Sequence, residues 1–330
     1  MKAIIPMAGS GTRLRPFTYS KPKALLQVGS KPIISHIIDN LLTIGCGHLV
    51  LIISREGENI PRFIHERYPR ILTDVIVQEE CLGLGHAVSL AAGIAADEEL
   101  VIVYGDTIID GDLSSILAAD SDGIIAVKRV EDPRRFGVVN VRRGFITRFV
   151  EKPAKPTSNL AIVGFNYFRR PEVLFESLEE LIRSGRRTKG EFQITDAFQL
   201  MLRRGYTFRP LVVDGWYDCG TPESLLETNR FLLAKVGNIP ETHDSIFIPP
   251  VFIPPDAAIT RSIIGPNVSV GDGAVIDRSL ISDSIIGSNA RVIGTSLAGS
   301  LVGDNAEIVE RPRRLSVGDN SSLDFEMTEL

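Results

Sequence analysis

The sequence predicts an α/β fold, a Rossmann-like, mostly parallel mixed sheet, followed by a short left-handed β-helix of hexapeptide repeats. Three observations carry that expectation. Up to about Val236, short apolar runs alternate with longer amphipathic stretches, as when helices cross over between parallel strands. After Lys235 the helical patterns stop and prolines gather at Pro249, Pro250, Pro254 and Pro255. Beyond them Val/Ile-Gly pairs recur at Ile264-Gly265, Val270-Gly271, Ile286-Gly287, Val302-Gly303 and Val317-Gly318, a repeat whose units must stack to bury their apolar side. The expected domains are therefore residues 1–236 and 237–330.

In the first domain the apolar runs place strands at 3–6, 49–54, 74–78, 100–104 and 123–127. Helices are expected at 33–44, where apolar residues recur at helical spacing, and at the alanine-rich 86–96. From Gly137 to Arg169 the texture turns to β, with strands at 138–142, 146–151 and 161–168 and a hairpin turn at Arg143-Gly144. This stretch reads as an insertion that roofs a site. Helical patterns return at 171–183, opened by a proline suited to a first helical turn, and at 192–204 and 222–235. In the repeats, the hexad from 264 to 270 fits aliphatic residues filling a triangular prism, with Gly and Asn at its corners. The longer gap from 264 to 286 predicts a loop in one coil, and a sandwich of alternating strands is the competing reading.

Composition excludes several classes. The chain has 330 residues, 44% hydrophobic and 23% charged, which rules out collagen, a disordered chain and a disulfide scaffold. The net charge of -5 supplies no basic field for nucleic acid or an anionic membrane, so any anionic ligand must be held by a few placed cations. Cys46, Cys81 and Cys219 are isolated and fit neither zinc nor a redox pair. With no signal-peptide pattern and no long apolar run, the expectation is a cytoplasmic protein.

Chemistry concentrates in short segments. Gly9-Ser10-Gly11-Thr12-Arg13 follows the first strand, where backbone N–H groups can close around phosphate oxygens. Neither a dinucleotide fingerprint nor a P-loop is completed, and alone the glycines read equally as a plain loop. Leu100 to Tyr104 is an apolar run ending in Gly105-Asp106, which puts a carboxylate at a strand's carboxyl end, where open α/β sheets bind ligands. Asp106 is a candidate Mg²⁺ ligand, since magnesium prefers one or two carboxylates plus substrate phosphates. Asp110 and Asp112 are candidates to cap the next helix. Gln78 ends another strand, and its amide can pair with a pyrimidine edge or serve as a surface polar group.

The run Gly-Ser-Gly-Thr-Arg-Leu-Arg-Pro at 9–16, followed by Lys21-Pro22-Lys23-Ala24-Leu25, resembles the sugar-1-phosphate nucleotidyltransferases. Five further segments match that family in order: Gln78 with Gly83-Leu84-Gly85-His86-Ala87, Phe136-Gly137-Val138-Val139, Val150-Glu151-Lys152-Pro153, Asn159 to Gly164, and Tyr217-Asp218-Cys219-Gly220-Thr221. Gly190 to Asp196 matches too, with Lys189 where relatives often carry arginine. The resemblance covers about residues 1 to 235 and is closest in texture to glucose-1-phosphate thymidylyl- and uridylyltransferases with a carboxy-terminal β-helix.

The resemblance implies transfer of a nucleotide from dTTP or UTP to a sugar 1-phosphate, with Mg²⁺ as cofactor. Arg13, Lys23 and Lys152 would be catalytic; Gly9, Gly11, Thr12, Gln78 and Gly83 would bind the nucleotide. Gly137, Glu151 and Gly164 would bind the sugar, and Asp106 and Asp218 the metal, although Asp218 also suits a structural turn. A homo-oligomer is expected, because a stack of apolar coils must cap or pair its ends. Two rival readings remain. One is a β-helix with acyltransferase activity, disfavoured because the last histidine, His243, precedes the repeats. The other is a regulatory subunit that binds sugar nucleotides without turnover.

Overall fold

The apolar run at the start of the chain becomes the strand Lys2–Met7, with Ala3, Ile4 and Ile5 wholly buried. Strands covered by helices on both faces read as unbroken aliphatic runs, and this one is central. It pairs in parallel with His48–Ile53 on one side and Leu100–Val103 on the other, and Leu72–Val77 continues the parallel half. The computed structural model describes residues 1–118, 120–236, 244–311 and 314–322 and divides into two units, Met1–Gly237 and Asn238–Leu330. The predicted domain boundary and His243 fall outside the described residues.

The other half of the sheet corrects one expectation. The β-rich stretch after Gly137 is not a separate insertion but part of the main sheet, from which Gly137, Glu151, Lys152, Ile162 and Val163 line a cleft. Leu160–Phe168 lies inside the main sheet, antiparallel to Leu100–Val103 on one edge and to Gly123–Arg129 on the other. Ala161 to Phe168 is buried throughout, as a strand inside the sheet should be. The hairpin Gly137–Arg142 and Phe145–Glu151 extends the sheet from there. Arg143 and Gly144 both have positive φ, 51° and 80°, as a two-residue hairpin turn requires. Helices Pro171–Arg183 and Ile194–Arg203 form as expected and cover one face. Phe149, Phe168, Phe198 and Phe208 meet there, mostly edge to face. The alanine-rich helix expected at 86–96 forms as two pieces, Leu84–Ser89 and Ala92–Ala95.

In the second unit three parallel sheets of four strands stack into a three-sided prism, the arrangement of a left-handed β-helix. One face aligns Ile246, Ile263, Leu280 and Ser296, giving successive coils of 17, 17 and 16 residues. Ile264, Ile281, Val270, Ile286 and Val302 point inward, all at 8% exposure or less. No coil among the described residues carries the predicted loop. Ile264 stacks on Ile281, whereas Ile286 stacks on Val270, so the gap from 264 to 286 compared two different faces. The fifth repeat also lies outside the stack: the last strand among the described residues is Glu307–Val309, and Val317 is 49% exposed.

Candidate active site

The carboxyl ends of the central strands hold three cavities that share residues. The first, about 180 Å³, is lined by Gly9, Ser10, Lys21, Lys23, Ser54 and Glu56. The second, about 220 Å³, lies among Gly9, Lys23, Leu84, Tyr104 and Asp106. The third, about 300 Å³, brings together Arg13, Asp106, Gly137, Glu151, Lys152 and Asp218. Residues more than two hundred positions apart thus share one cleft, at the edge where open α/β sheets place ligands.

The Gly9 loop leaves the first strand and closes as the turn Thr12–Leu14, with Gly11 in the left-handed region at φ 57°. Leu14 is fully buried and fixes the turn, while its neighbours Thr12 and Arg13 stay exposed. Thr18 Oγ1 donates to the Gly11 carbonyl at 2.8 Å. A second turn, Lys23–Leu25, buries Ala24 and Leu25 and directs Lys23 Nζ to Asp106 Oδ2 at 2.6 Å.

Asp106 and Asp218 are brought side by side by antiparallel pairing of Thr107–Asp110 with Gly215–Asp218, in which Asp218 faces Thr107. The Cys219 N–H donates to the Asp106 carbonyl at 3.0 Å and ties the two loops together. Burial raises the Asp218 pKa above the ordinary carboxylate value, and the Asp106 charge adds to the rise. Lys23, Arg13 and Arg135 oppose it. Two converging carboxylates of this kind suit a hard cation. Among the described residues no group of three or more His, Cys, Asp or Glu could hold an ion, so a cation here would take its other ligands from phosphate and water.

At the far end of the cleft the hairpin register sets Gly137 opposite Glu151. Glu151 Oε2 accepts from Thr195 Oγ1 at 2.8 Å, and Lys152 Nζ lies 3.5 Å from the other carboxylate oxygen. A Cβ at Gly137 would sit 2.9 Å from both Glu151 Oε2 and Thr195 Cγ2, so any larger residue would displace that carboxylate. Gly164, with φ 82°, lies against the Tyr104 ring, and its carbonyl accepts from the Tyr104 N–H at 2.9 Å.

Gln78 and Gly83 line none of the three cavities. Gln78 is buried and its Nε2 donates to the Glu80 carbonyl at 3.0 Å. The side-chain space of Gly83 is filled by the Phe192 backbone, its nearest atom 2.8 Å from the Cβ position. Other cleft residues escaped the sequence reading as functional groups: Tyr104, Arg135, Thr195, Glu191 and Trp216. Thr195 and Glu191 belong to the matched segment 190–196, the one signal that pointed at them. Burial pushes the Tyr104 phenol well above its ordinary value, so it is a hydrogen-bond donor at any working pH. Asp112 caps the turn Ser114–Ala118 by accepting from the Ser114 N–H at 2.9 Å, whereas Asp110 pairs with Lys235 at 2.6 Å.

A nucleotidyl transferase family model matches residues 2–235. The chain belongs to the nucleotidyl transferase family. It is 32% identical to the low-salt glycan biosynthesis nucleotidyltransferase Agl11 of Haloferax volcanii, over 98% of this chain and 99% of that one. It is 30% identical to a glucose-1-phosphate thymidylyltransferase of Streptomyces antibioticus, over 99% and 100% of the two chains. The crystal structure of a UDP-glucose pyrophosphorylase complexed with UDP-glucose superposes with a TM-score of 0.62 at 25% identity, over 71% of this chain and 99% of that one. The resemblance read from the motifs is thereby borne out, as is the α/β fold. No helix among the described residues is long and apolar enough to cross a membrane.

Proposed function

We propose that this nucleotidyl transferase joins a nucleoside triphosphate to a sugar 1-phosphate, releasing pyrophosphate, with dTTP or UTP and glucose 1-phosphate as its substrates. The observation that carries the reading is the 300 Å³ cleft, in which a buried hydrogen-bonded carboxylate at Glu151 stands across from Arg13, Asp106 and Asp218. One end suits sugar hydroxyls and the other suits phosphates. The relatives named for thymidylyl and uridylyl transfer to glucose 1-phosphate support the substrate class.

A sugar phosphate oxygen attacks the α-phosphorus in line and pyrophosphate leaves, with no protein nucleophile needed because the attacking group is already ionised. Arg13 and Lys23 neutralise charge on the triphosphate, and the Gly9 loop supplies backbone donors beside them. Lys152 holds the sugar phosphate, and Glu151, steadied by Thr195, accepts from sugar hydroxyls. A divalent metal is general in this family. Asp106 and Asp218 would hold it here, Mg²⁺ in our reading, and when bound it would supply positive charge against the phosphates.

The test is pyrophosphate release by the purified protein with Mg²⁺, glucose 1-phosphate and dTTP, UTP, CTP, GTP or ATP in turn. Release with dTTP or UTP is expected. Silence with every nucleotide, and again with mannose, galactose and glucosamine 1-phosphates, would sink the reading in favour of a regulatory binder.

A further inference from the structure

We propose that Arg135 is a further substrate-binding residue, whose guanidinium holds the phosphate of the sugar 1-phosphate beside Lys152. This rests on the nucleotidyl-transfer reading above and adds a phosphate ligand to it.

Two adjacent arginines on one turn, Pro133–Arg135, have opposite surroundings. Arg134 is tied to Asp132: its Nε and Nη2 donate to the two carboxylate oxygens at 2.7 and 2.8 Å. The same carboxylate accepts the Arg134 backbone N–H at 3.1 Å, so this pair builds the turn. Arg135 instead lines the 300 Å³ cavity with Lys152, Glu151 and Asp218. Among the described residues its guanidinium makes no ion pair or hydrogen bond.

The turn that presents Arg135 is held in place. Pro133 is buried, and the Phe136 N–H donates to the Pro133 carbonyl at 3.1 Å. The Phe136 ring meets Trp216 edge to face with centroids 4.9 Å apart, on the strand that ends in Asp218. The Phe136 carbonyl accepts the Lys152 N–H at 3.1 Å. Arg135 and Lys152 therefore flank one anchored residue and face one cavity. Arg135 also lies close enough for its charge to act on the Asp218 carboxylate.

Position selects the ligand. Arg135 lines neither cavity beside Gly9, where Lys23 would meet the triphosphate. It shares the cavity that holds Glu151 and Gly137 at the sugar end. An unpaired guanidinium fork there matches a phosphate dianion in shape and charge, whereas Lys152 adds a point charge.

The experiment measures steady-state kinetics of Arg135→Gln and Arg135→Lys with the nucleotide and sugar phosphate that the wild type uses, and Arg134→Gln beside them. Arg135→Gln is expected to raise KM for the sugar 1-phosphate about thirtyfold, the loss of one charge-assisted phosphate contact. KM for the nucleotide should change less than about threefold, Arg135→Lys should recover part of the loss, and added guanidinium ion should partly rescue Arg135→Gln but not Arg134→Gln. Unchanged KM for the sugar phosphate, or a rise confined to the nucleotide, would overturn the assignment while leaving the transferase reading intact. A wild type inactive with every substrate pair fails the parent reading instead. Calorimetric binding of glucose 1-phosphate to wild type and Arg135→Gln then decides whether Arg135 holds phosphate at all. If Arg135→Gln does not fold, Arg135→Lys carries the same comparison, with a smaller rise expected and no rise overturning the proposal.

Discussion

Arg13 and Asp218 share a cavity although most of the catalytic unit lies between them in sequence, while in the coils Ile264 touches, in register, the residue one turn later, Ile281. The first unit assembles its cleft from loop ends that a deep, aromatic-lined core holds apart from one another's errors. The core of the second unit, among the described residues, is a narrow column of Ile, Val and Ala supported from rung to rung. A substitution in the cleft should therefore remove chemistry and spare the fold, and one in the column should do the reverse.

Lys23→Ala tests the first half of that contrast and carries the largest expected effect. Removing the ammonium from Asp106 should lower kcat by about a thousandfold, the range seen when one preorganised charge-stabilising group is lost. The melting temperature should stay within about 2 °C, because a partly exposed ion pair contributes little to stability. Near-normal turnover would remove Lys23 from the chemistry.

Gly287→Ala tests the second half. Its new methyl would sit 2.5 Å from both the Asp304 nitrogen and the Gly303 carbonyl carbon, backbone atoms of the next rung that cannot swing aside. The expected cost is about 3 kcal/mol, read by chemical denaturation, with turnover per folded molecule unchanged. A parallel collapse of kcat would show that the two units are coupled. Between the same two coils the exposed Arg291–Glu307 pair should contribute under about 1 kcal/mol when Arg291→Ala removes it.

Acid should discriminate between the units more gently. His36, on the helix Ile33–Thr43, is held mostly out of solvent with Nε2 2.9 Å from the Val28 carbonyl, and burial depresses its pKa to about 4. The unfolded chain binds this proton from about pH 6.5 downward and the folded chain only near pH 4, so stability falls as pH drops across that window. The loss should be about 3 kcal/mol, and His36→Gln should flatten the profile of the first unit between those limits. A profile equally steep in the variant would place the acid sensitivity elsewhere.

The contrast also explains what could be read in advance. Short segments such as Gly9 to Pro16, Gly105-Asp106 and Tyr217 to Thr221 carry their chemistry in contiguous residues, and the cleft brings their Arg13, Asp106 and Asp218 together. Arg135 was invisible because its distinction from Arg134 lies in which neighbour each finds, not in residue type. Leu160–Phe168 was legible as a strand but not as a member of the main sheet, because an apolar run reads the same in any buried strand and only the pairing places it. For Gln78 and Gly83 the motif could not foretell their neighbours, the Glu80 carbonyl and the Phe192 backbone, since both contacts depend on how separate loops pack. In the repeats the aliphatic period was legible, but its register was not, since Ile264 and Ile286 belong to different faces.

The coil lengths hold a further consequence. Val251 to Val268 and Ser269 to Ile285 differ by one residue, and the longer coils are those with Pro249-Pro250 and Gly265-Pro266 at the same corner. The later coils, with Ile285 stacked on Leu301 and Arg291 on Glu307, repeat every 16 residues on both faces. An in-frame tandem duplication of residues 285–300 would thus lengthen the prism by one rung of about 4.8 Å with every inward residue still facing inward. A duplication taken from the proline-bearing end, residues 263–279, would instead insert a 17-residue copy, the spacing that sets Ile263 against Leu280. The length of a tolerated insertion therefore depends on where it falls: 17 residues before Leu280 and 16 after it.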